Sequence, residues 1–261
     1  MKNRSFLSAL FLGISLAFAA APVWAVSLSD VISTLETPFQ TETDKELRIN
    51  NYSADFSQES KIASLDRLQR ANGRIKVAFD YQKEKTVPDV KFRWQYAQPT
   101  TQEIVSDGKT LWVYLPENNQ VIQSDLAMVN QDPQNDPMTF LTGLGNLSRD
   151  FQISWGEPNI DIDGNYILDL TPRKVSSLIN RLVIVVDNHA VEAYQKRAND
   201  GSKKKPWYPI ISTAVYDPNG NSTIIEFSEL RVNPGVSAMN FNFIMPEGVQ
   251  VVRPTDKEMG F

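Results

Sequence analysis

The sequence contains no cysteine and a single histidine, and this shortage narrows the functions that the chain can have. Without a thiol there is no disulfide, no cysteine nucleophile, no cysteine-based metal site and no cysteine that could carry an amino-terminal lipid. His189 alone cannot supply most zinc sites. The fold must therefore be stabilised by core burial, and a chain of 261 residues is long enough for that.

Recognisable catalytic motifs are also lacking. The sequence has no phosphate-binding glycine loop and no Gly-x-Ser-x-Gly elbow. Asp161 and Asp163 resemble the start of a calcium loop, but the later glycine and glutamate of such a loop are missing. A Ser-His-Asp triad through His189 stays open, although nothing in the sequence marks its serine. We therefore expect no enzyme activity, no metal and no cofactor.

A long apolar run occurs only at the amino terminus. Residues 1–25 begin with Lys2 and Arg4, continue with an apolar stretch over residues 6–20, and end at a small-residue cleavage site, Val23-Trp24-Ala25. This arrangement predicts a secretory signal peptide that is cleaved off. A retained anchor is the alternative, although the stretch is short for a membrane span of about 20 residues.

The remaining residues, 26–261, are acidic. Removal of Lys2 and Arg4 from the 26 basic residues leaves 24, against 31 acidic residues, so the net charge becomes −7. Nucleic-acid phosphates require a basic face, so we expect no nucleic-acid partner. No linker rich in glycine or serine and no convincing repeat divides this part of the sequence. We predict one domain over residues 26–261, and a monomer.

Alternating apolar and polar residues predict many short β-strands. Phe92, Trp94 and Tyr96 alternate with Arg93 and Gln95, which is typical of a strand with one apolar face. An Asp-Gly pair at 107–108 between two apolar runs predicts a hairpin. Short strands joined by turns predict an antiparallel barrel or sandwich. The other predicted strands lie around residues 52–56, 75–81, 151–155, 166–170, 182–186, 215–216, 224–227, 241–243 and 249–252.

Two helices are predicted beside the strands. Ser27 or Ser29 can cap the first, whose apolar stripe is formed by Leu28, Val31, Ile32, Leu35 and Phe39. The second is very short, opens at Asp136-Pro137 and can end at Gly145.

The polar stretch over residues 193–207 includes Lys203-Lys204-Lys205. We predict a solvated loop there. Contact of its basic run with anionic lipid or with an acidic partner is the alternative.

Several segments resemble the LolA family of periplasmic outer-membrane lipoprotein carriers. The core resemblance lies in FRWQY at 92–96, the Gln-Pro that follows, and VSDGKTLWVYLP at 105–116. NYSADFSQ at 51–58 resembles the family's first strand, and DPMTFLTG at 136–143 resembles its short proline-led helix. With the closing strands included, the likeness covers most of residues 28–252.

The resemblance implies an open antiparallel β-barrel closed by a short helical lid, with an apolar cavity between the two. In the family this cavity shelters the acyl chains of lipoproteins, which arrive from an inner-membrane ABC transporter and leave to an outer-membrane acceptor. The resemblance therefore implies a periplasmic carrier that needs no covalent chemistry. An envelope-stress sensor of similar fold, which binds a regulatory membrane protein, is the alternative.

The resemblance also indicates which side chains would contact the acyl chains, with ordinary core packing as the alternative at each. They are Phe56, Ile75, Val77, Phe92, Trp94, Met138, Phe140, Leu141 and Leu144. One position departs from the family. Many members carry an arginine before the proline that precedes the FRW-type strand, whereas Val87 precedes Pro88 here. We expect apolar contact to hold the lid, unless Lys91 or Arg93 replaces that arginine.

Overall fold

The computed structural model describes residues 26–126, 144–201 and 205–253, and a single sheet of twelve strands dominates them. The strands are β1 (Asn51–Ile62), β2 (Arg67–Asp80), β3 (Asp89–Gln98), β4 (Gln102–Ser106), β5 (Thr110–Leu115), β6 (Gln120–Asp125), β7 (Phe151–Ile160), β8 (Tyr166–Pro172), β9 (Arg181–Val186), β10 (Ile210–Tyr216), β11 (Ser222–Val232) and β12 (Gln250–Val252).

The sheet is open, as predicted, with β12 and β7 at its two edges. Its order is β12-β6-β5-β4-β3-β2-β1-β11-β10-β9-β8-β7. All neighbouring strands pair antiparallel except β12, which runs parallel to β6. The two halves of the sequence meet where β1 pairs with β11, so these two long strands lie near the centre of the sheet.

Three α-helices lie in the described ranges: α1 (Leu28–Glu36), α2 (Leu147–Asp150) and α3 (Asn188–Asp200). The predicted start of α1 is confirmed. The Ser27 hydroxyl accepts a hydrogen bond from the Asp30 amide, and the Asp30 carboxylate accepts one from the Ser27 amide. Val31 and Leu35 on α1 are fully buried in the hydrophobic cluster that also contains residues of the sheet. Phe39, predicted on the same helix, lies in the 3₁₀ turn Thr37–Phe39 that follows it.

The face of the sheet that α1 covers is called the inner face below, and the opposite face is the outer face. Residues 233–249, which connect β11 to β12, cross the outer face and are called the strap. Lys76 Nζ donates a hydrogen bond to Asn240 Oδ1 at 2.7 Å, and Phe243 stacks on Trp112 with ring centroids 5.8 Å apart. The predicted strand over 241–243 is therefore wrong. Phe243 packs on the sheet, and Phe241 is buried in the 3₁₀ turn Ala238–Phe241, so neither residue belongs to a strand.

Part of the predicted polar loop is helical. Residues 193–200 belong to α3, which Asp187 caps and which ends at Gly201, whose φ is 68°. Helical periodicity was weak in the sequence because only Ala190 and Val191 of α3 are buried. Lys203 and Lys204 lie outside the described residues.

Candidate functional site

The five strand residues that were predicted to contact acyl chains share the inner face of three neighbouring strands. Phe56 lies on β1, Ile75 and Val77 lie on β2, and Phe92 and Trp94 lie on β3. Ile75 pairs with Trp94, and Val77 pairs with Phe92. None of the five is more than 7% exposed. The strand register therefore brings all five together in one apolar surface, which is called the acyl surface below after the contact that the sequence predicted for it.

An aromatic cluster forms one end of the acyl surface. The Phe56 ring lies 4.6 Å from that of Trp94 and 5.1 Å from that of Tyr96, measured between centroids. Tyr96 donates a hydrogen bond from its hydroxyl to Gln58 Oε1 at 2.9 Å. Burial raises the pKa of Tyr96 to about 12, because a phenolate is poorly solvated there. The cluster is therefore uncharged at neutral pH.

The turn that contains Leu144 is fixed to the end of α1. Leu144 itself is 1% exposed and belongs to the same buried cluster as the acyl surface. Gln40 Nε2 donates a hydrogen bond to the Gly145 carbonyl at 3.2 Å, and the Ser148 amide donates one to Glu36 Oε1 at 2.7 Å. Both apolar and polar contacts therefore hold this turn. The other three residues of the predicted lid, Met138, Phe140 and Leu141, lie outside the described residues.

Val87, which occupies the position of the family arginine, lies beside this turn. A Cβ atom placed on Gly145 would stand 3.0 Å from Val87 Cγ1, so the two residues are in close contact. Arg93 and Lys91 face the other side of β3, where they form ion pairs with Glu103 and Asp80. The apolar side chain of Val87, and not either cation, is therefore the group next to the turn.

A second group of aromatic rings extends the inner face beyond the residues that the sequence singled out. Phe39, Tyr52, Phe79 and Tyr208 are at most 8% exposed, and the Tyr52 and Tyr208 rings lie 4.6 Å apart. Strand alternation marked Tyr52 and Phe79. Tyr208 carried no such signal, because it precedes β10 within Trp207-Tyr208-Pro209, where no regular spacing applies.

The inner face is lined by apolar and aromatic side chains. The described ranges contain no group of three histidine, aspartate or glutamate side chains placed to hold a metal ion. In the same ranges no helix has the length and apolarity that a membrane crossing needs. Burial of hydrocarbon against such a surface contributes about 0.8 kcal/mol per methylene.

The fold and the site define a class of protein: an open, mainly antiparallel sheet whose inner face carries a continuous buried apolar surface. The chain belongs to the family described as outer membrane lipoprotein carrier protein LolA, whose model matches residues 48–208, more than half of the sequence.

Individual relatives carry the same description. An outer-membrane lipoprotein carrier protein of Chromobacterium violaceum is 27% identical over 205 residues, which cover 77% of this chain and 80% of the relative. One from Xanthomonas campestris pv. campestris is 31% identical over 186 residues, which cover 71% and 78%. Among solved structures, a LolA superfamily protein from Nitrosomonas europaea superposes with a TM-score of 0.37 and 15% identity, covering 84% of this chain and 99% of that one.

Proposed function

We propose that this protein is a periplasmic carrier that shelters the acyl chains of lipoproteins on its inner face and transfers them from the inner to the outer membrane. Family membership supports the proposal, as does the description of the relatives as outer-membrane lipoprotein carrier proteins. The observation that carries it is the acyl surface, on which Phe56, Trp94 and their three neighbours form one buried apolar patch. No covalent step is required, so the protein is not an enzyme on this proposal.

The energetics of acyl chains explain why a carrier is needed. Each methylene transferred from water to an apolar surface contributes about 0.8 kcal/mol, so a free lipoprotein would aggregate or return to a membrane. Release to an acceptor requires the carrier to bind more weakly than the acceptor does. The protein meets this requirement if opening of its inner face needs only a small free energy.

The proposal includes the cellular route and the partners. Residues 1–25 form a signal peptide that directs residues 26–261 to the periplasm. Acylated lipoproteins arrive from an inner-membrane ABC transporter and leave to an outer-membrane acceptor. Leu144, together with Met138, Phe140 and Leu141, forms the apolar side of a lid over the acyl surface.

The proposal is tested by incubating the protein with inner-membrane vesicles that contain the transporter, a lipoprotein and ATP, followed by native mass spectrometry of the supernatant. A soluble one-to-one complex with acylated lipoprotein supports the carrier. Recovery of the protein empty, or with free lipid only, contradicts it. Recovery with a regulatory membrane protein in place of lipoprotein favours the stress sensor instead.

A further inference from the structure

Two tyrosine hydroxyls are buried on the inner side, and neither has a hydrogen-bond partner in the described part of the chain. Tyr52 lies on β1 and is 0% exposed, and Tyr208 lies just before β10 and is 3% exposed. Their rings lie 4.6 Å apart at 45°. Aromatic rings of Phe39, Phe79 and Phe227 surround the pair at centroid distances of 6.2 to 6.3 Å. The hydroxyls therefore lie in an apolar environment.

The two hydroxyls lie near each other without meeting in hydrogen-bond geometry. Burial raises the pKa of both tyrosines well above the ordinary value, and each hydroxyl also influences the pKa of the other. Both groups are therefore neutral at every physiological pH. A neutral phenol can donate one hydrogen bond, so the pair offers two donors close together.

Two other tyrosines on the inner side, Tyr81 and Tyr96, have hydrogen-bond partners within the chain, so the lack of a partner is not a general feature of tyrosines there. Tyr81 donates from its hydroxyl to the Ile49 carbonyl at 2.7 Å, and Tyr96 donates to Gln58 at 2.9 Å. An unpaired hydroxyl in an apolar environment destabilises a fold, whereas phenylalanine would fill the same space without that penalty. Unpaired buried polar groups in a folded protein therefore require an explanation.

The position of the pair indicates what its partner is. Tyr52 pairs across the sheet with Val77, so it borders the acyl surface directly. The acyl chains of a lipoprotein end in carbonyl groups that accept hydrogen bonds and donate none. We propose that Tyr52 and Tyr208 form a polar subsite that donates hydrogen bonds to an acyl ester carbonyl of the bound lipid. The proposal rests on the proposed carrier function and adds recognition of the ester to the burial of hydrocarbon.

The subsite predicts a preference between two ligands that differ only in the carbonyl. The probes are a synthetic diacylglyceryl-cysteine lipopeptide and its dialkyl ether analogue with chains of equal length. We expect the native protein to bind the ester about 3- to 10-fold more tightly, the range that one net hydrogen bond gives. In the Tyr52→Phe/Tyr208→Phe double variant, the two ligands should bind equally, and affinity for the ether should not change.

Thermal unfolding without ligand separates recognition from a structural role. Tyr52→Phe and Tyr208→Phe should leave the Tm unchanged or raise it, because each removes an unpaired hydroxyl. Tyr81→Phe is the matched control, and it should lower the Tm because it removes a bonded hydroxyl while retaining the ester preference. A fall in Tm for Tyr52→Phe and Tyr208→Phe like that of the control would contradict the subsite.

The binding measurements also distinguish the two proposals from each other. Equal affinity of the native protein for ester and ether, or an ester preference that survives in the double variant, overturns the subsite alone. Failure of the native protein to bind either lipopeptide overturns the carrier function and the subsite with it.

Discussion

Phe56 and Trp94 are in ring contact, 4.6 Å between centroids, although the strand β2 lies between their own strands. Gly73 of β2 makes this contact possible. It pairs with Phe56 on one side and with Tyr96 on the other, and it has no side chain to separate the rings. The aromatic end of the acyl surface therefore depends on a glycine in the middle of a long strand.

Gly73→Ala should destabilise the protein strongly. The added Cβ would stand 1.9 Å from the Gln95 carbonyl oxygen and 2.9 Å from Phe56 Cε1, so both backbone and ring must move. We expect a loss of about 2–4 kcal/mol in the free energy of unfolding, measured by chemical denaturation. Gly235→Ala is the control, because its Cβ would meet nothing within 4 Å and only the φ of +80° is unfavourable, at about 1 kcal/mol. Equal losses for the two variants would contradict the steric role of Gly73.

Phe92→Glu should weaken acyl binding by placing a carboxylate on the acyl surface. Phe92 is 7% exposed. A charge there either loses its hydration or keeps bound water at the place where the acyl chain would bind, and both weaken binding. We expect affinity for a diacyl lipopeptide to fall about 10-fold or more, measured by calorimetry at a temperature where circular dichroism shows both variants folded. Ala97→Glu is the control, since it adds the same charge at an exposed position of the same strand. Unchanged affinity in folded Phe92→Glu would exclude Phe92 from the site.

Arg93→Ala should loosen the strap. Arg93 pairs with Glu103 on the outer face and donates hydrogen bonds to the backbone carbonyls of Asn240 and Asn242. The two side chains of the pair are 15% and 22% exposed, so solvent screens the pair only partly. We expect the free energy of unfolding to fall by about 1–3 kcal/mol and amide hydrogen exchange in residues 233–249 to become faster.

The matched control for the strap is Arg70→Ala. Arg70 pairs with Glu59 at 2.9 Å, but its side chain is 76% exposed. An exposed ion pair contributes about 0–1 kcal/mol, so this variant should change stability little and leave exchange in the strap unaltered. Similar losses for both arginines would show that the backbone contacts of Arg93 contribute nothing measurable.

Asp30→Asn should change how the stability of the protein depends on pH under acidic conditions. Hydrogen bonds from the Ser27 amide, and then from its hydroxyl, lower the pKa of Asp30 below the ordinary value of an aspartate. A carboxylate with a depressed pKa in the folded state stabilises the fold above its unfolded pKa, and this contribution is lost as the pH falls through its folded pKa. We expect the variant to be less stable at pH 7 and to differ less from the native protein as the pH falls through the lowered pKa of Asp30. Parallel Tm curves from pH 7 to pH 3 would contradict the role of the capping box.

Local signals in the sequence predicted much of the sheet. The Asp107-Gly108 hairpin is confirmed between β4 and β5: Asp107 Oδ1 accepts hydrogen bonds from the amides of Lys109 and Thr110, and Gly108 has a φ of 93°. Strand alternation also placed Ile75 with Val77, and Phe92 with Trp94, on one face of their own strands, whereas only the resemblance to the LolA family implied that Phe56 and these four residues face the same side. The hairpin and the alternation are short-range features that residue type and spacing determine.

Features that depend on distant parts of the chain could not be predicted in the same way. The parallel pairing of β12 with β6 joins residues more than a hundred positions apart, and no local pattern specifies it. The distal parts of β1 and β2, up to Ile62 and from Arg67, were missed because they are largely exposed and lack an apolar face. The contact of Tyr208 with Tyr52 is likewise a product of the sheet order.

The most direct test of the proposed carrier uses tryptophan fluorescence to locate the bound acyl chain. Trp94 lies on the inner face, whereas Trp112 lies under the strap on the outer face. Two variants of the mature protein would each retain one of these tryptophans, with the others replaced by phenylalanine, and each would bind a lipopeptide with brominated acyl chains. Because bromine quenches only at short range, we predict strong quenching of Trp94 and little of Trp112. Equal quenching of both, or quenching of Trp112 alone, would contradict binding of acyl chains on the inner face.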